Sequence, residues 1–261
     1  MAPLGKVSPS QESLMNSLSN SAEVAATPLA GQVALITGSS RGIGLSIAAR
    51  LASLGAAVGL CGRDRRALDS AAEILRRSGA RVHAQVADVT RASDAASLVA
   101  DTESALGSLD VLVNNAGIGI FGPAHERSEA DWDNVLDTNL KGVFLVSRAV
   151  VPSMIRRRAG HIINISSLAG KNTFAGGGIY CASKWGLQGL SGCMAEDLRG
   201  YGIRVSVVCP GSVATDFSPH TGRDPKKLLQ PEDVAHAVAM LVTQAPTSFI
   251  SEVHLRPVQK P

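Results

Sequence analysis

Tyr180 and Lys184 stand four residues apart in the run Tyr180-Cys181-Ala182-Ser183-Lys184. On a helix this spacing puts both side chains on one face, about 6 Å apart along the axis. A free phenol, with a pKa of about 10, exchanges protons poorly at neutral pH. An ammonium beside it stabilises the phenolate and lowers that pKa, which makes tyrosine a usable general acid or base. The plainer account of the same pair is a core tyrosine with a lysine stretched along it toward water. A second constellation lies near the start of the chain, in Thr37-Gly38-Ser39-Ser40-Arg41-Gly42-Ile43-Gly44. Glycines there allow a tight turn and close approach of the backbone to a pyrophosphate. A helix starting in that turn offers unpaired N–H groups and its positive end to phosphate.

The elements that must position these groups can be read from the apolar pattern. From residue 31 onward, short runs rich in β-branched residues alternate with longer helical patterns. The runs are Val33–Thr37, Ala57–Cys61, Val82–Val86, Val111–Asn114, His161–Ile165, Arg204–Cys209 and Glu252–Leu255. They are mostly apolar, as strands buried on both faces are. Between them, Gly42–Leu54, Asp64–Arg77, Arg91–Leu106 and Tyr180–Leu198 carry apolar residues at helical spacing. Strand and helix in one continuous alternation predict an α/β fold: a parallel sheet of seven strands, right-handed crossovers and helices on both faces. Ligands bind such sheets beyond the carboxyl ends of the strands. Thr37-Gly38, Asp88-Val89, Asn114 to Gly117, Ser166-Ser167 and Pro210-Gly211 all fall there.

The glycine spacing, Thr-Gly-x3-Gly-x-Gly, together with Tyr180 and Lys184, resembles the short-chain dehydrogenase/reductase family over about Gly31 to Leu255. Its 3-oxoacyl-[acyl-carrier-protein] reductase-like members are among those it resembles. The resemblance implies one doubly wound (Rossmann) domain over residues 31–261, holding both cofactor and substrate sites. It implies an oxidoreductase that moves a hydride between a nicotinamide cofactor and a carbonyl or secondary alcohol. The catalytic set it implies is Asn139, Ser167, Tyr180 and Lys184. Ser167, thirteen residues before Tyr180, matches the family's catalytic serine, whose hydroxyl bonds the substrate oxygen; its neighbour Ser166 does not have that spacing. Asn139 is expected to hold a water linking Lys184 to solvent, and an Asn inside a helix otherwise asks for a reason. Cofactor contacts fall on Gly38, Ser40, Arg41, Ile43 and Gly44 in the glycine loop, and on Arg63, Asp88 and Val89 after the next strands. They continue at Asn115, Ala116 and Gly117, at Tyr180 and Lys184, and at Pro210, Gly211, Val213 and Thr215. Asp88 can accept the adenine amine or serve the next helix as an N-terminal acid. The asparagines of Asn114-Asn115 tie neighbouring strands together as well.

The choice of dinucleotide turns on the end of the second strand, Leu60-Cys61-Gly62-Arg63-Asp64. NAD-binding members usually place an acid where Gly62 stands. A carboxylate repels a 2′-phosphate, whereas a guanidinium binds it with paired hydrogen bonds. Arg63, Arg41 and Ser40 therefore favour NADP(H) over NAD(H). Asp64 is the counter-argument, since it could reach back to the ribose, but its position also suits a helix N-cap.

Composition narrows the partners. A net charge of +3 with scattered basic residues gives no nucleic-acid surface, and Arg156-Arg157-Arg158 reads as a helix end. No apolar run reaches a membrane span. Cys61, Cys181, Cys193 and Cys209 form no CxxC pair and no metal-like spacing with the histidines. No metal is expected, and free thiols point to a reducing, cytoplasmic setting. Residues 1–30, whose stretch Ser8 to Ser21 is rich in Ser, Asn and Gln, read as a loosely attached or disordered tail. In the family, helices such as those over Asn139–Val151 and Tyr180–Leu198 pack against a second subunit, implying a homodimer or homotetramer.

The resemblance implies a small carbonyl compound or an acyl thioester as substrate. The short stretch after Thr215 and the absence of Gly-Gly near the end depart from the thioester reductases. Phe121, Phe174 and Phe217 are either pocket or core. Three functions remain open: a broad carbonyl reductase or alcohol dehydrogenase, a 3-oxoacyl thioester reductase, and a non-catalytic NADPH sensor or scaffold. Four intact catalytic positions disfavour the last.

Overall fold

The computed structural model describes residues 27–217 and 224–259. Most of the expected tail, 1–26, and residues 218–223 after Phe217 lie outside the described residues.

Seven parallel strands form one sheet among the described residues: β1 (Val33–Ile36), β2 (Ala57–Gly62), β3 (Val82–Val86), β4 (Val111–Asn114), β5 (Gly160–Ile165), β6 (Ile203–Pro210) and β7 (Glu252–Leu255). Their spatial order is β3-β2-β1-β4-β5-β6-β7. The expected strands stand within a residue or so at each end. The helices are α1 (Gly42–Ser53), α2 (Arg65–Arg77), α3 (Ala92–Leu106), α4 (Glu129–Leu136), α5 (Gly142–Arg157), α6 (Gly178–Arg199) and α7 (Pro231–Val242).

Side chains alternate across the sheet. Ala34 and Ile36 of β1 join one core with Ile47 and Leu51 of α1, Leu68 of α2, and Val238 and Leu241 of α7. Val33 and Leu35 join the other, with Leu98 of α3, Val146 and Met154 of α5, and Leu198 of α6. A strand buried on both faces has no polar side to show, which is why its sequence reads as a continuous apolar run.

The packed body also reaches back before residue 31. Leu29 is fully buried, and its N–H donates to the Leu54 carbonyl at 2.9 Å.

The sheet's order reverses between β1 and β4, so the segments after these strands diverge and leave a crevice at their carboxyl ends. Polar side chains tie β4, on one side of it, to β5 and to the helices beside them. Asn114 Nδ2 donates to Asn164 Oδ1, its register partner on β5, at 2.9 Å and to Ser147 Oγ at 3.0 Å. Asn164 Nδ2 passes the chain on to Ser191 Oγ of α6.

Candidate active site

At the end of β1 the backbone turns through Gly38, whose φ of +63° is costly for any residue with a Cβ. A Cβ there would lie 2.8 Å from the Ala116 Cα, and one at Gly44 would strike the Gly38 carbonyl and the Asn115 amide. Thr37 Oγ1 accepts from the Asn115 and Ala116 N–H groups, both at 3.0 Å. Asn115 Nδ2 donates to the Thr37 and Gly38 carbonyls, also at 3.0 Å. The two segments flanking the crevice are thus laced together through Thr37. Helix α1 begins in the turn with no side-chain cap from Arg41 and no acid in its first turn. By contrast, Asp64 caps α2 and Ser128 caps α4. An uncapped, acid-free helix start beside glycines that admit close approach fits the pyrophosphate of a dinucleotide.

Asp64 Oδ1 accepts from the Ala67 N–H at 3.1 Å, so this carboxylate serves the helix. Arg63 and Arg41 are exposed and line the same crevice as Gly62 and Ser40. Among the described residues no carboxylate lies within ion-pair distance of either guanidinium. Burial works to raise the Asp88 pKa. The Thr90 N–H and hydroxyl, at 3.0 and 2.8 Å, and the Arg63 and Arg91 charges outweigh it and hold the carboxyl below its usual value. The first-turn acid of α3 is Asp94 rather than Asp88.

At the other end of the crevice α6 carries Tyr180 and Lys184 on one face. Both are nearly buried, and the ammonium sits 5.8 Å from the phenol ring centroid. Lys184 Nζ donates to the Ile165 carbonyl at the end of β5, at 3.0 Å. Burial pushes its pKa down to about 8, against a small upward pull from Cys209. Burial likewise pushes Tyr180 up to about 12, although its hydrogen bond with Ser167 works the other way. In the protein alone, desolvation of the phenolate therefore sets the direction, opposite to the lowering expected of a phenol beside a lysine. Ser167, not Ser166, reaches the phenol. Ser166 Oγ accepts from Gln188 Nε2 at 3.1 Å instead.

Asn139 lies in a single π-helical turn, Asp137–Lys141, between α4 and α5. Such turns insert a residue into a helix and often mark functional sites. Oδ1 accepts from the Ile118 N–H at 2.8 Å. Nδ2 donates to the Ile118 carbonyl at 2.9 Å and to Ser183 Oγ at 3.0 Å. Ser183 Oγ in turn donates to the Tyr180 carbonyl at 2.7 Å. Both amide N–H groups are therefore engaged in fastening the post-β4 segment to α6. Ser183 is a working position the sequence reading passed over, and Thr37, read there as part of the glycine motif, was given no role of its own. Their one available signal is a small hydroxyl residue beside a motif residue.

The four cysteines are free thiols. Strand pairing brings Cys209, Glu252 and His254 together despite their sequence spacing. The Lys171 ammonium, 2.8 Å from Glu252, and the Gln188 amide on Cys209 Sγ make this cluster an ion-pair network.

Every cofactor residue read from the sequence lines one crevice of about 1740 Å³, and so do Ser167, Tyr180 and Lys184. Asn139 stands behind its wall. No described helix is long and apolar enough to cross a membrane.

A family model described as short chain dehydrogenase matches residues 32–226. The chain is 45% identical to a metagenomic short-chain oxidoreductase solved in complex with NADP, with a TM-score of 0.80, covering 90% of this chain and 100% of that one. It is 31% identical to an alcohol dehydrogenase of the archaeon Thermococcus sibiricus complexed with 5-hydroxy-NADP, with a TM-score of 0.82, covering 88% and 98%. Among curated relatives, 2-(S)-hydroxypropyl-CoM dehydrogenase 3 of Xanthobacter autotrophicus is 36% identical over 82% of this chain and 91% of that protein.

Proposed function

Because this chain belongs to the short-chain dehydrogenase/reductase family, whose members act on alcohol and carbonyl groups with a nicotinamide cofactor, we propose that it is an NADP(H)-dependent carbonyl reductase. Tyr180 is its proton donor. The observation that carries this reading is the meeting of Ser167, Tyr180 and Lys184 at one end of a crevice whose other end presents two exposed arginines, with Asp64 occupied as a helix cap and Asp88 bonded to Thr90. When bound, the reduced dinucleotide supplies the hydride.

The residues of the chain do the rest. The start of α1 and the Gly38 turn hold pyrophosphate. Arg63 and Arg41 hold a 2′-phosphate, a choice supported by Asp64 being occupied as a helix cap. Ser167 donates to the substrate oxygen as negative charge builds there. Tyr180 protonates that oxygen. Lys184, its pKa pushed down to about 8 and so still charged at neutral pH, stabilises the phenolate left when Tyr180 gives up its proton, which solvent then restores, and would bind the ribose hydroxyls. Asn139 acts as a positioning residue through Ile118 and Ser183. Phe144 and Trp185 are exposed on α5 and α6, which supports a second subunit on that face.

The test is oxidation of NADPH and of NADH against a panel of ketones, aldehydes and 3-oxoacyl thioesters. The proposal expects turnover with ketones and at least tenfold better kcat/KM for NADPH. Turnover confined to thioesters, or equal use of NADH, overturns it.

A further inference from the structure

The chain holds only five phenylalanines, two tyrosines and two tryptophans. Three of the phenylalanines and one of the tyrosines meet at a single place. The Phe121 ring stands edge-on to the Tyr180 ring at 5.4 Å between centroids, Phe217 lies 5.8 Å from Tyr180, and Phe174 lies 6.2 Å from Phe121. The three phenylalanines come from three separate segments: after β4, before α6 and after β6.

Phe121 is partly buried against Ala169, Tyr180 and Cys181, whereas the other two rings are not core. Phe174 is 50% exposed and Phe217 42% exposed. The backbone makes room for them: a Cβ at Gly119 would lie 2.7 Å from the Phe121 ring and 3.0 Å from Phe217, and one at Gly177 would lie 2.6 Å from Phe174. Two glycines thus clear the space in which the exposed rings stand over the proton donor. Arg41, Arg63, Asp64 and Asp88 gather at the cofactor end. Of the other described lining residues, Lys184, Asp216 and Arg256 carry charge.

We propose that Phe121, Phe174 and Phe217 form a substrate box for carbonyl compounds bearing an aromatic ring next to the carbonyl. This rests on the carbonyl-reductase reading above. Aromatic rings attract one another in edge-to-face and offset geometries at 4.5–7 Å, and the three phenylalanines present both edges and faces around Tyr180. A substrate ring completes these contacts and covers the exposed phenyl surface, while a short alkyl chain does neither. On reduction the carbonyl carbon gains a hydride with both its electrons, and the oxygen gains the Tyr180 proton. The reduced nicotinamide dinucleotide is the donor and is oxidised in turn.

The experiment compares acetophenone, 2-butanone and the acetoacetyl thioester of N-acetylcysteamine as substrates with NADPH. It uses the wild type, Phe174→Ala, Phe217→Ala and the control Phe249→Ala, whose ring lies outside the crevice. Calorimetry of acetophenone binding to the NADP-saturated protein gives a readout free of turnover. Wild type favours acetophenone over butanone by about 10- to 100-fold in kcat/KM. Phe174→Ala and Phe217→Ala each raise the acetophenone KM at least fivefold and weaken its calorimetric binding. Phe249→Ala changes neither. Reduction of all three substrates with no preference for acetophenone, or a preference untouched by the two site variants, overturns the box. Turnover of none of them sinks the reductase reading instead. Calorimetry then decides the box alone: acetophenone binding weakened by the site variants upholds it, and no binding overturns it.

Discussion

Replacing Lys184 with methionine separates function from stability. The lysine is buried and its pKa falls from 10.5 to about 8. At 1.36 kcal/mol per unit, the folded protein at pH 7 carries a charge whose burial costs about 3 kcal/mol. Methionine has similar length and no charge, so that cost vanishes. Against this, the Ile165 carbonyl loses a donor at 3.0 Å, worth about 1–3 kcal/mol if the site stays dry. Lys184→Met should therefore be as stable as wild type at pH 7, or up to about 2 kcal/mol more stable, while NADPH-dependent turnover falls at least about 100-fold. The difference must also depend on pH. Between pH 8 and 10.5 the folded wild type has released the lysine proton and the unfolded chain has not. Wild-type stability therefore rises with pH in that window, relative to the variant, by up to about 3 kcal/mol. Urea denaturation of both proteins at pH 7 and pH 10 measures this. A variant more than about 3 kcal/mol less stable at pH 7, or a wild-type-to-variant gap unchanged between the two pH values, refutes the reasoning.

Arg63→Ala should weaken NADPH binding by about 10- to 100-fold and leave NADH within twofold, measured by fluorescence titration of each nucleotide. Asp64→Ala should cost about 1 kcal/mol of stability through the lost α2 cap and leave the ratio of the two affinities unchanged. A shift of that ratio toward NADPH would return Asp64 to the ribose. Gly38→Ala should destabilise by about 2 kcal/mol or more and abolish nucleotide binding, because its φ is positive and its Cβ would meet the Ala116 backbone. Denaturation and titration together check it.

Strands were the most legible part of the chain. Val111–Asn114 stands as read, because a strand buried on both faces leaves a run of apolar residues that needs no partner to be recognised; the half-exposed edge strand Glu252–Leu255 stands as read as well. Helix α7 was passed over, since its apolar residues all but fill the segment and leave little amphipathic contrast. The glycine turn and the Tyr180–Lys184 face were legible because their spacing is itself the chemistry. The direction of the Tyr180 shift was not: it depends on burial by Phe121 and Phe217, which come from distant segments. The role of Asn139 depends on a π turn that no side-chain pattern announces. For Asp64 the sequence left ribose and helix cap both open, and only the 3.1 Å bond to Ala67 assigns it to the cap. Cys209 and His254 are far apart in sequence and adjacent only because β6 and β7 pair.

The account stands or falls on Tyr180 as the group that gives the substrate oxygen its proton. Phenylalanine keeps the ring and its contacts with Phe121 and Phe217 and removes the hydroxyl alone. The decisive measurement is the turnover of Tyr180→Phe with NADPH and a ketone reduced by the wild type, alongside NADPH affinity. Turnover reduced at least about 1000-fold, with the affinity within a few-fold of wild type, is the predicted result. Turnover within tenfold of wild type contradicts it.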